Sequence, residues 1–492
     1  MPRPSRSGRS LLVAALAAAA IGATCGPSPR TSPVPAPSSP IPQSAGTIRL
    51  AYPDEPRTLN PVTDPSPAVR EILRPVLPSF HTLTPAGEYR PALLAEEPTV
   101  ELRGGVMEVA FRLRGDARWS DGAAISTHDV VFTWRVMTDP EIPVADRWGF
   151  DRLREVRVLS STEGVLVLSP PLRAWRDLFS AGRFVLPSHA GPVDSWDGGP
   201  PVGAGPFTVA GRVRGRSVTL ERLGGGGAIE VLFVPDPTTA LQLLEAGDVD
   251  VVAPMPGLDW ARRLGELEGV EVSGAFGPIA VHLLVHPQRV PGVADRSALL
   301  GAIDRARFVE VVGREDARAL SGVLVPEQEG AAAARETAGG ASVSLGRELE
   351  LVHVRSDLPS LLGRYVRQEL EEAGADVELL GVDPDVFLER FLAPGDFDLA
   401  IWESRGGPSP WLARWFGEDG VVQAPGLAGL LAAADGPDDG ALARAQRRLA
   451  ASGVVFPLLQ PRVTMAWREG VEGIEVNPTV EGPLWNAGEW RA

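Results

Sequence analysis

The stretch Phe111–Trp134 places a strand, a tight turn and a helix in immediate succession. Apolar residues alternate with charged or polar ones as far as Leu113, which is the period of a half-buried strand. The sequence Trp119-Ser-Asp-Gly122 is typical of a turn, because Asp bonds the backbone ahead of it and Gly accepts a positive φ. Ser126 or Thr127 then caps a helix that carries an apolar stripe. No nucleophile stands beside a base here, so the stretch is predicted to be structural.

Strand and helix patterns alternate along the rest of the chain. With 492 residues the chain is long enough for at least two lobes. The clearest alternation predicts strands at 349–354, 375–380 and 397–402, with helices at 358–373 and 383–391 between them. Other patterns predict helices at 175–181 and 297–312 and two separate strands at 454–459 and 462–467. Strands that alternate with helices indicate the α/β class.

The N-terminus has the pattern of an export signal. Three arginines precede an apolar run at 11–21, which is too short to span a bilayer comfortably. The run leads to Cys25, the only cysteine, so residues 1–25 are predicted to be a lipoprotein signal that leaves Cys25 as the lipidated N-terminus. A cleaved secretory signal with an incidental cysteine is the alternative. Residues 26–45 are rich in Pro and Ser and are predicted to form an extended tether.

Charge and residue usage narrow the possible functions. The formal net charge is −16, which argues against a nucleic-acid partner. All basic residues are arginine, so chemistry that requires a lysine is excluded. The sequence contains no His-Glu-x-x-His, Gly-x-Ser-x-Gly or Walker pattern. We therefore expect a binding protein rather than an enzyme, without a metal or cofactor.

Two close pairs of polar residues leave alternatives open. His282 and His286 stand four residues apart and could bind a metal, although core or surface positions are favoured. Asp248 and Asp250 could form a paired acid site, but they more simply flank a turn into a strand.

Several sequence blocks resemble, in order, those of the extracellular solute-binding proteins of family 5, the peptide-, oligopeptide- and nickel-binding subunits of ABC importers. The blocks lie at 51–61, 111–134, 202–207, 243–250, 299–305 and 395–400. The second block carries the family's W-S-D-G turn and D-V-V-F helix start. The resemblance extends over about residues 47–490.

This resemblance implies a bilobed periplasmic-binding-protein-like fold of type II, with three domains and mixed sheets flanked by helices. Domain I would comprise 46–78, 186–268 and 462–492 and form lobe I. Domain II would be an insertion at 79–185, and lobe II (domain III) would be 269–461. Two lobes joined by a hinge would close over a ligand, and the ligand would stabilise the closed state.

The implied function is that of an extracytoplasmic, lipid-anchored receptor of an ABC importer. It would act as a monomer, capture a peptide or similar small solute and deliver it to the permease subunits in the membrane. A degenerate member that senses a ligand without transport is an alternative, and a secreted enzyme is a weaker one.

One departure from the family bears on the ligand. Peptide-binding members of the family carry an Asp that binds the ammonium group of the ligand. In this chain the corresponding segment reads Trp402-Glu-Ser-Arg-Gly-Gly-Pro-Ser-Pro410, and Ser404 or Arg405 stands near the position of that Asp. An arginine there would repel an ammonium and favour an anion. We expect cleft loops to supply the ligand-binding residues Trp402, Glu403, Ser404, Arg405, Gly205, Pro206, Phe207, Asp54, Glu55 and Trp485. Core packing is the alternative for both tryptophans, and an exposed loop position is the alternative for Arg405.

Overall fold

The computed structural model describes residues 46–492, except 65, 256–258, 327–347, 393, 406–411, 413–414, 418–421, 423–425 and 435–439. The predicted signal segment, Cys25 and the tether lie outside the described residues. Within the described part, no helix is both long and apolar enough to cross a membrane.

The strands belong to one large mixed sheet, one smaller antiparallel sheet and a short hairpin. They are β1 Thr47–Tyr52, β2 His81–Leu83, β3 Tyr89–Pro91, β4 Thr99–Arg103, β5 Val106–Arg112, β6 Leu153–Val158, β7 Glu163–Leu168, β8 Phe207–Val213, β9 Ser217–Arg222, β10 Ala228–Phe233, β11 Val251–Val252, β12 Val270–Phe276, β13 Ile279–Val285, β14 Ala317–Ala319, β15 Glu348–Val354, β16 Asp376–Val382, β17 Leu399–Arg405 and β18 Val455–Arg468.

The helices cover the faces of these sheets. The α-helices of more than three residues are α1 Pro67–Leu73, α2 Thr127–Thr138, α3 Pro237–Ala246, α4 Trp260–Gly265, α5 Val293–Ala302, α6 Arg305–Phe308, α7 Asp357–Glu372, α8 Leu427–Ala434 and α9 Ala441–Ser452. The predicted α/β class is confirmed.

Strand β18 runs through both halves of the large sheet. Its first part pairs with β13 and its last part with β11 and β12. We call the half with β1 and β8–β12 lobe I, together with the smaller sheet, and the half with β13–β17 lobe II. The prediction of two separate strands was wrong here. Pro461 interrupts the sequence pattern, but it lies where the partner of β18 changes from β13 to β12, so its missing N–H is tolerated.

In lobe I, β1 lies between the parallel strands β10 and β11. Residues of β1, α1 and the smaller sheet share one hydrophobic core. In lobe II, β15 pairs in parallel with β16 and β17. One face of that sheet packs against α5 and α7, and the other packs against α8 and α9. The predicted domain boundaries remain a prediction.

The strand, turn and helix expected at Phe111–Trp134 are present, and their role is structural. Ser126 caps α2, and its own N–H donates to Asp129 at 2.8 Å, which completes a capping box. The second carboxylate oxygen of Asp129 accepts from the N–H of Ser188 at 2.9 Å. The indole of Trp134 donates to the Leu153 carbonyl at 3.0 Å. These bonds join α2 to the smaller sheet and to the segment that leads from it back to the large sheet.

Three helix predictions differ from the structure. The expected helix 297–312 ends at Ala302 and restarts as α6, because the Asp304 side chain accepts from the N–H of Arg307 and caps a new helix. A π-helix then covers 309–313. The segment expected to be helical at 175–181 is a 3₁₀-helix at Trp175–Phe179, and a π-helix replaces most of the one expected at 383–391.

Candidate ligand-binding site

The edge of lobe II that faces lobe I carries an acid–base pair at the end of β17. Side chains alternate along a strand, and Leu399 and Ile401 point into the core beside α7. Glu403 and Arg405 continue on the same face, beyond that core. The Arg405 Nε lies 2.6 Å from Glu403 Oε1, while about half of the Arg405 side chain stays exposed. The Glu403 carboxylate raises the pKa of Arg405, so the guanidinium stays charged.

The other two residues predicted in this strand point to the opposite face. Ser404 is 2% exposed, and its hydroxyl donates to the Ala280 carbonyl at 3.4 Å. The half-buried Trp402 ring stacks near His282 and packs on Trp415 with a centroid separation of 4.9 Å. The structure therefore places Ser404 in the protein interior, and Trp402 on a different face from Arg405.

Lobe I presents a second charged group at the end of β1. The Tyr52 hydroxyl donates to Glu71 of α1 at 2.6 Å. Asp54, two residues after β1 ends, is exposed and makes no hydrogen bond with the described residues. The neighbouring residues on both sides in α1 are buried in the lobe I core. Arg70 and Glu71 therefore lie on the outer side of this helix. These residues stand at the carboxyl end of a parallel strand, which is a common place for ligand sites in α/β proteins.

The two charged groups face each other across the space between the lobes. Burial raises the pKa of Glu71, and the Arg405 guanidinium of lobe II opposes that rise. Partial burial of the Asp54 carboxylate raises its pKa as well, although the residue as a whole is exposed, and Arg405 again opposes the rise. Arg405 of lobe II thus interacts electrostatically with both carboxylates of lobe I. We call Tyr52, Asp54, Glu71, Glu403 and Arg405 the cleft cluster.

Arg70, next to Glu71 on α1, lines a small cavity together with Asp146 and Arg183. Its guanidinium makes no hydrogen bond or ion pair with any residue that the structure describes. Burial, together with the charge of Arg183, lowers the pKa of Arg70, while Asp146 and Glu71 act in the opposite direction. Arg70 and Asp54 are therefore held by electrostatic interactions, without a hydrogen bond from their side chains to the described residues.

Three predicted residues lie in a different place, within lobe I. Gly205, Pro206 and Trp485 line a cavity of about 350 Å³ that also carries Arg114 and Arg118. The Trp485 indole donates to the Glu475 carbonyl at 2.8 Å. None of the cleft cluster lines this cavity, so the structure does not bring these three residues together with Arg405.

The remaining predicted residues have structural contacts. Phe207 is fully buried, and the Arg222 guanidinium lies 4.7 Å from its ring centroid. Glu55 accepts from the Gly215 N–H and from Arg212, each at 3.0 Å, and so holds the turn between β8 and β9.

The paired polar residues that were considered for metal or acid chemistry make structural contacts. His282 is buried, its ring nitrogen Nε2 lies 2.9 Å from the Val323 carbonyl, and burial lowers its pKa to about 4. Asp250 forms an ion pair with Arg49 at 3.1 Å. Within the described ranges, no group of three or more His, Cys, Asp or Glu side chains could hold a metal ion.

Sequence reasoning missed Tyr52, Arg70 and Glu71. The sequence contained a usable signal for Arg70 and Glu71. They are the charged residues between the apolar pairs Ala68–Val69 and Ile72–Leu73, which the helical period turns inward. Their position opposite Arg405 depends on how the lobes meet, which local patterns do not specify.

The comparison with protein families decides the identity of this fold. Residues 88–420 match the model for bacterial extracellular solute-binding proteins, family 5 Middle. The chain belongs to family 5 of the bacterial extracellular solute-binding proteins. The resemblance inferred from the sequence blocks is therefore confirmed.

Two curated proteins of this kind are similar to the chain. The probable monoacyl phosphatidylinositol tetramannoside-binding protein LpqW of Mycobacterium tuberculosis is 26% identical over 309 residues, 56% of this chain and 47% of that protein. The chain thus spans about half the length of that relative. The probable di/tripeptide-binding protein 5 of Pseudomonas aeruginosa is 23% identical over 77% of this chain and 81% of its own length.

A solved structure supports the bilobed fold. The periplasmic EDTA-binding protein EppA matches with a TM-score of 0.79 and 20% identity, over 90% of this chain and 96% of that one. At this identity the likeness concerns the fold, and the predicted bilobed periplasmic-binding-protein fold is confirmed.

Proposed function

We propose that this family 5 protein is the extracytoplasmic receptor of an ABC importer and binds a peptide or similar small solute between its lobes. The observation that supports the proposal is the electrostatic interaction of Arg405 of lobe II with Asp54 and Glu71 of lobe I. A ligand held there would contact both lobes. Contacts from both sides stabilise the closed state, which the permease would recognise.

The charges of the site suggest a ligand that carries both signs. Asp54 makes no hydrogen bond with the described residues and would accept an ammonium or hydroxyl group. Arg70 and Arg405 would bind a carboxylate, because guanidinium and carboxylate match as paired donors and acceptors. A short peptide or an amino-acid derivative fits this arrangement. The related proteins named above bind ligands as different as di/tripeptides and EDTA, so the residues of the site must select the ligand.

Ligand-dependent stabilisation tests this proposal. A ligand that binds only the folded protein raises its melting temperature by mass action. The mature protein would be screened with peptides, amino-acid derivatives, sugars and metal chelates, and co-purified ligands would be identified by mass spectrometry. We expect at least one hit whose affinity falls about tenfold in Arg405→Ala, the loss expected for one charge-assisted contact. The absence of any stabilising compound would count against the receptor function.

A matched control separates loss of the site from loss of charge. Arg355 also lies at the lobe I-facing end of the lobe II sheet, but it is paired with Asp383 at 3.2 Å. Arg355→Ala should leave the affinity for the hit within about twofold. Equal losses in both variants would show only a general effect of charge.

Attachment to the membrane is the second part of the proposal. It rests on the sequence pattern that ends at Cys25. Wild-type protein should partition into the detergent phase and incorporate labelled fatty acid, whereas Cys25→Ser should do neither. Soluble behaviour of both proteins would favour a cleaved secretory signal instead.

A further inference from the structure

A second cavity of about 1410 Å³ lies between the lobes, next to the hinge. Its floor is the surface of β12 and β18 around Gly274. One wall is α4 of lobe I, and the other is formed by Gly313–Asp316 and the first turns of α7 in lobe II. No residue of the cleft cluster lines this cavity, which we call the hinge cavity.

In lobe I, the hinge cavity and the cleft cluster lie on opposite faces of the sheet. Arg462 and Thr464 of β18 line the cavity. They alternate with Met465 and Trp467, which pack into the same core as α1. Because α1 carries Glu71 of the cleft cluster, the strand separates the two sites.

Two buried polar atoms at the hinge cavity have no hydrogen-bond partner. They are Oδ1 of Asp316, a residue 6% exposed, and Oγ1 of Thr464, a residue 2% exposed. The other oxygen of Asp316 accepts from the Asp259 N–H at 3.0 Å. A Cβ at Gly274 would stand 2.7 Å from the Thr464 hydroxyl, so the glycine keeps the space beside that oxygen open. Unsatisfied buried polar atoms are costly, so these two oxygens would gain stability from a partner such as a ligand hydroxyl group or a bound water.

Two guanidinium groups at the hinge cavity lack a carboxylate partner among the residues that the structure describes. Arg314 and Arg364 make no hydrogen bond or ion pair with the residues that the structure describes. Arg462 is already engaged, because it donates to the Gly274 carbonyl at 3.1 Å and its charge acts on the Asp316 carboxylate. Free guanidinium groups are suited to carboxylate and phosphate.

The acidic residues of the hinge cavity are mostly compensated. Asp259 and Glu266 both pair with Arg262, at 2.9 and 2.6 Å. One oxygen of Asp316 accepts a backbone N–H, and the charge of Arg462 acts on this carboxylate. The exposed Glu315 makes no ion pair with the described residues. The four arginines and four carboxylates of the lining balance in formal charge, and Arg314 and Arg364 are the guanidinium groups that remain for an anion.

We propose that the hinge cavity is a second ligand site, for a small organic anion that also carries a hydroxyl group. The unpaired arginines bind the carboxylate or phosphate, the Thr464 hydroxyl donates to the ligand, and Asp316 accepts from the ligand's hydroxyl. Because the walls come from both lobes, occupancy of this site changes the balance between open and closed states and hence affinity in the cleft. This site is separate from the one in the proposed function.

Calorimetric titration of the mature protein with inorganic phosphate, glycerol phosphate and gluconate tests the proposal. The phosphate and carboxylate probes distinguish the two kinds of anion. We expect binding of at least one hydroxyl-bearing probe, weakened about tenfold in Arg364→Ala. Arg367→Ala is the matched control, because Arg367 lies on the same helix, pairs with Glu371 at 3.6 Å and does not line the cavity.

A second variant distinguishes the loss of a ligand contact from a folding defect. Thr464→Val keeps the side-chain shape and removes a hydroxyl that has no partner, so it should weaken probe binding without lowering the melting temperature. Arg405→Ala should leave probe binding unchanged. Loss of binding in Arg405→Ala but not in Arg364→Ala would overturn the proposal, and so would absence of binding by all probes at about 10 mM.

Discussion

The side-chain amide of Gln460 donates to the backbone oxygen of Gly277 at 2.5 Å, and this bond joins the two chain segments that cross between the lobes. Gln460 is fully buried, and its own oxygen accepts from Arg318. Gly277 has no room for a side chain, because a Cβ there would stand 2.4 Å from the Pro478 carbonyl oxygen. The crossing segments are thus fixed to each other, so we expect them to bend together when the lobes close.

Removal of this bond is expected to weaken the fold. In Gln460→Ala the buried Gly277 oxygen keeps only the Ile279 N–H, and Arg318 loses its acceptor on Gln460. These two losses together cost about 1–3 kcal/mol in the free energy of unfolding. Urea denaturation measures this loss. Gln368→Ala is the control, since Gln368 donates to Glu372 on the exposed side of α7, and its effect should stay within about 0.5 kcal/mol. Equal effects in both variants would contradict a special role of the buried amide.

The pH dependence of stability is expected to change in Glu71→Gln. Burial raises the pKa of Glu71 above its ordinary value of 4.5, so between the two pKa values the folded protein binds a proton that the unfolded chain releases. The ionised carboxylate therefore costs stability at neutral pH, and this cost disappears as the pH falls below 4.5. Gln keeps an acceptor for the Tyr52 hydroxyl but carries no charge.

Urea denaturation as a function of pH measures this effect. Glu71→Gln should be more stable than wild type near neutral pH, and the difference should vanish in acid. Glu245→Gln, at an exposed position on α3, should follow the wild-type profile throughout. A variant that is less stable than wild type at neutral pH would show that the ionised form of Glu71 is favoured in the fold.

Local sequence patterns suffice to predict individual strands and helix caps of this fold. The strand predicted at 349–354 is β15, Glu348–Val354, and Ser126 was correctly named as a candidate cap of α2. These features depend on neighbours along the chain. The Tyr52–Glu71 bond depends instead on how α1 packs on β1, and the position of Arg405 depends on how one lobe faces the other.

Strand geometry also corrects the predicted site. Treating 402–405 as part of a loop allowed all four side chains to face a ligand together. Because β17 extends to Arg405, the period of the strand turns Trp402 and Ser404 away from Glu403 and Arg405. Gly205 and Trp485 were grouped with Arg405 by family resemblance, and only the folded chain shows that they line a separate cavity.

The family signature is expected to matter for stability and not for ligand affinity. Asp129 is buried, completes the capping box of α2 and accepts from Ser188. Asp129→Ala should therefore lower the free energy of unfolding by about 2–4 kcal/mol, from the lost cap and the lost buried bond. Asp151→Ala, at an exposed site in the same domain, should have little effect. A fall in the affinity of folded Asp129→Ala for the cleft ligand would contradict the structural assignment.

Gly205 provides a direct test between a ligand contact and a packing role. A Cβ at this residue would stand 2.1 Å from the Pro75 carbonyl oxygen, and its N–H donates to Val76 at 3.0 Å. Gly205→Ala therefore requires the backbone after α1 to move, and we expect it to cost about 3 kcal/mol or more in unfolding free energy. Gly198→Ala is the matched control, because no atom lies within 4 Å of its added Cβ. A Gly205→Ala protein with wild-type stability and reduced ligand affinity would instead support the role in ligand binding that the sequence predicted.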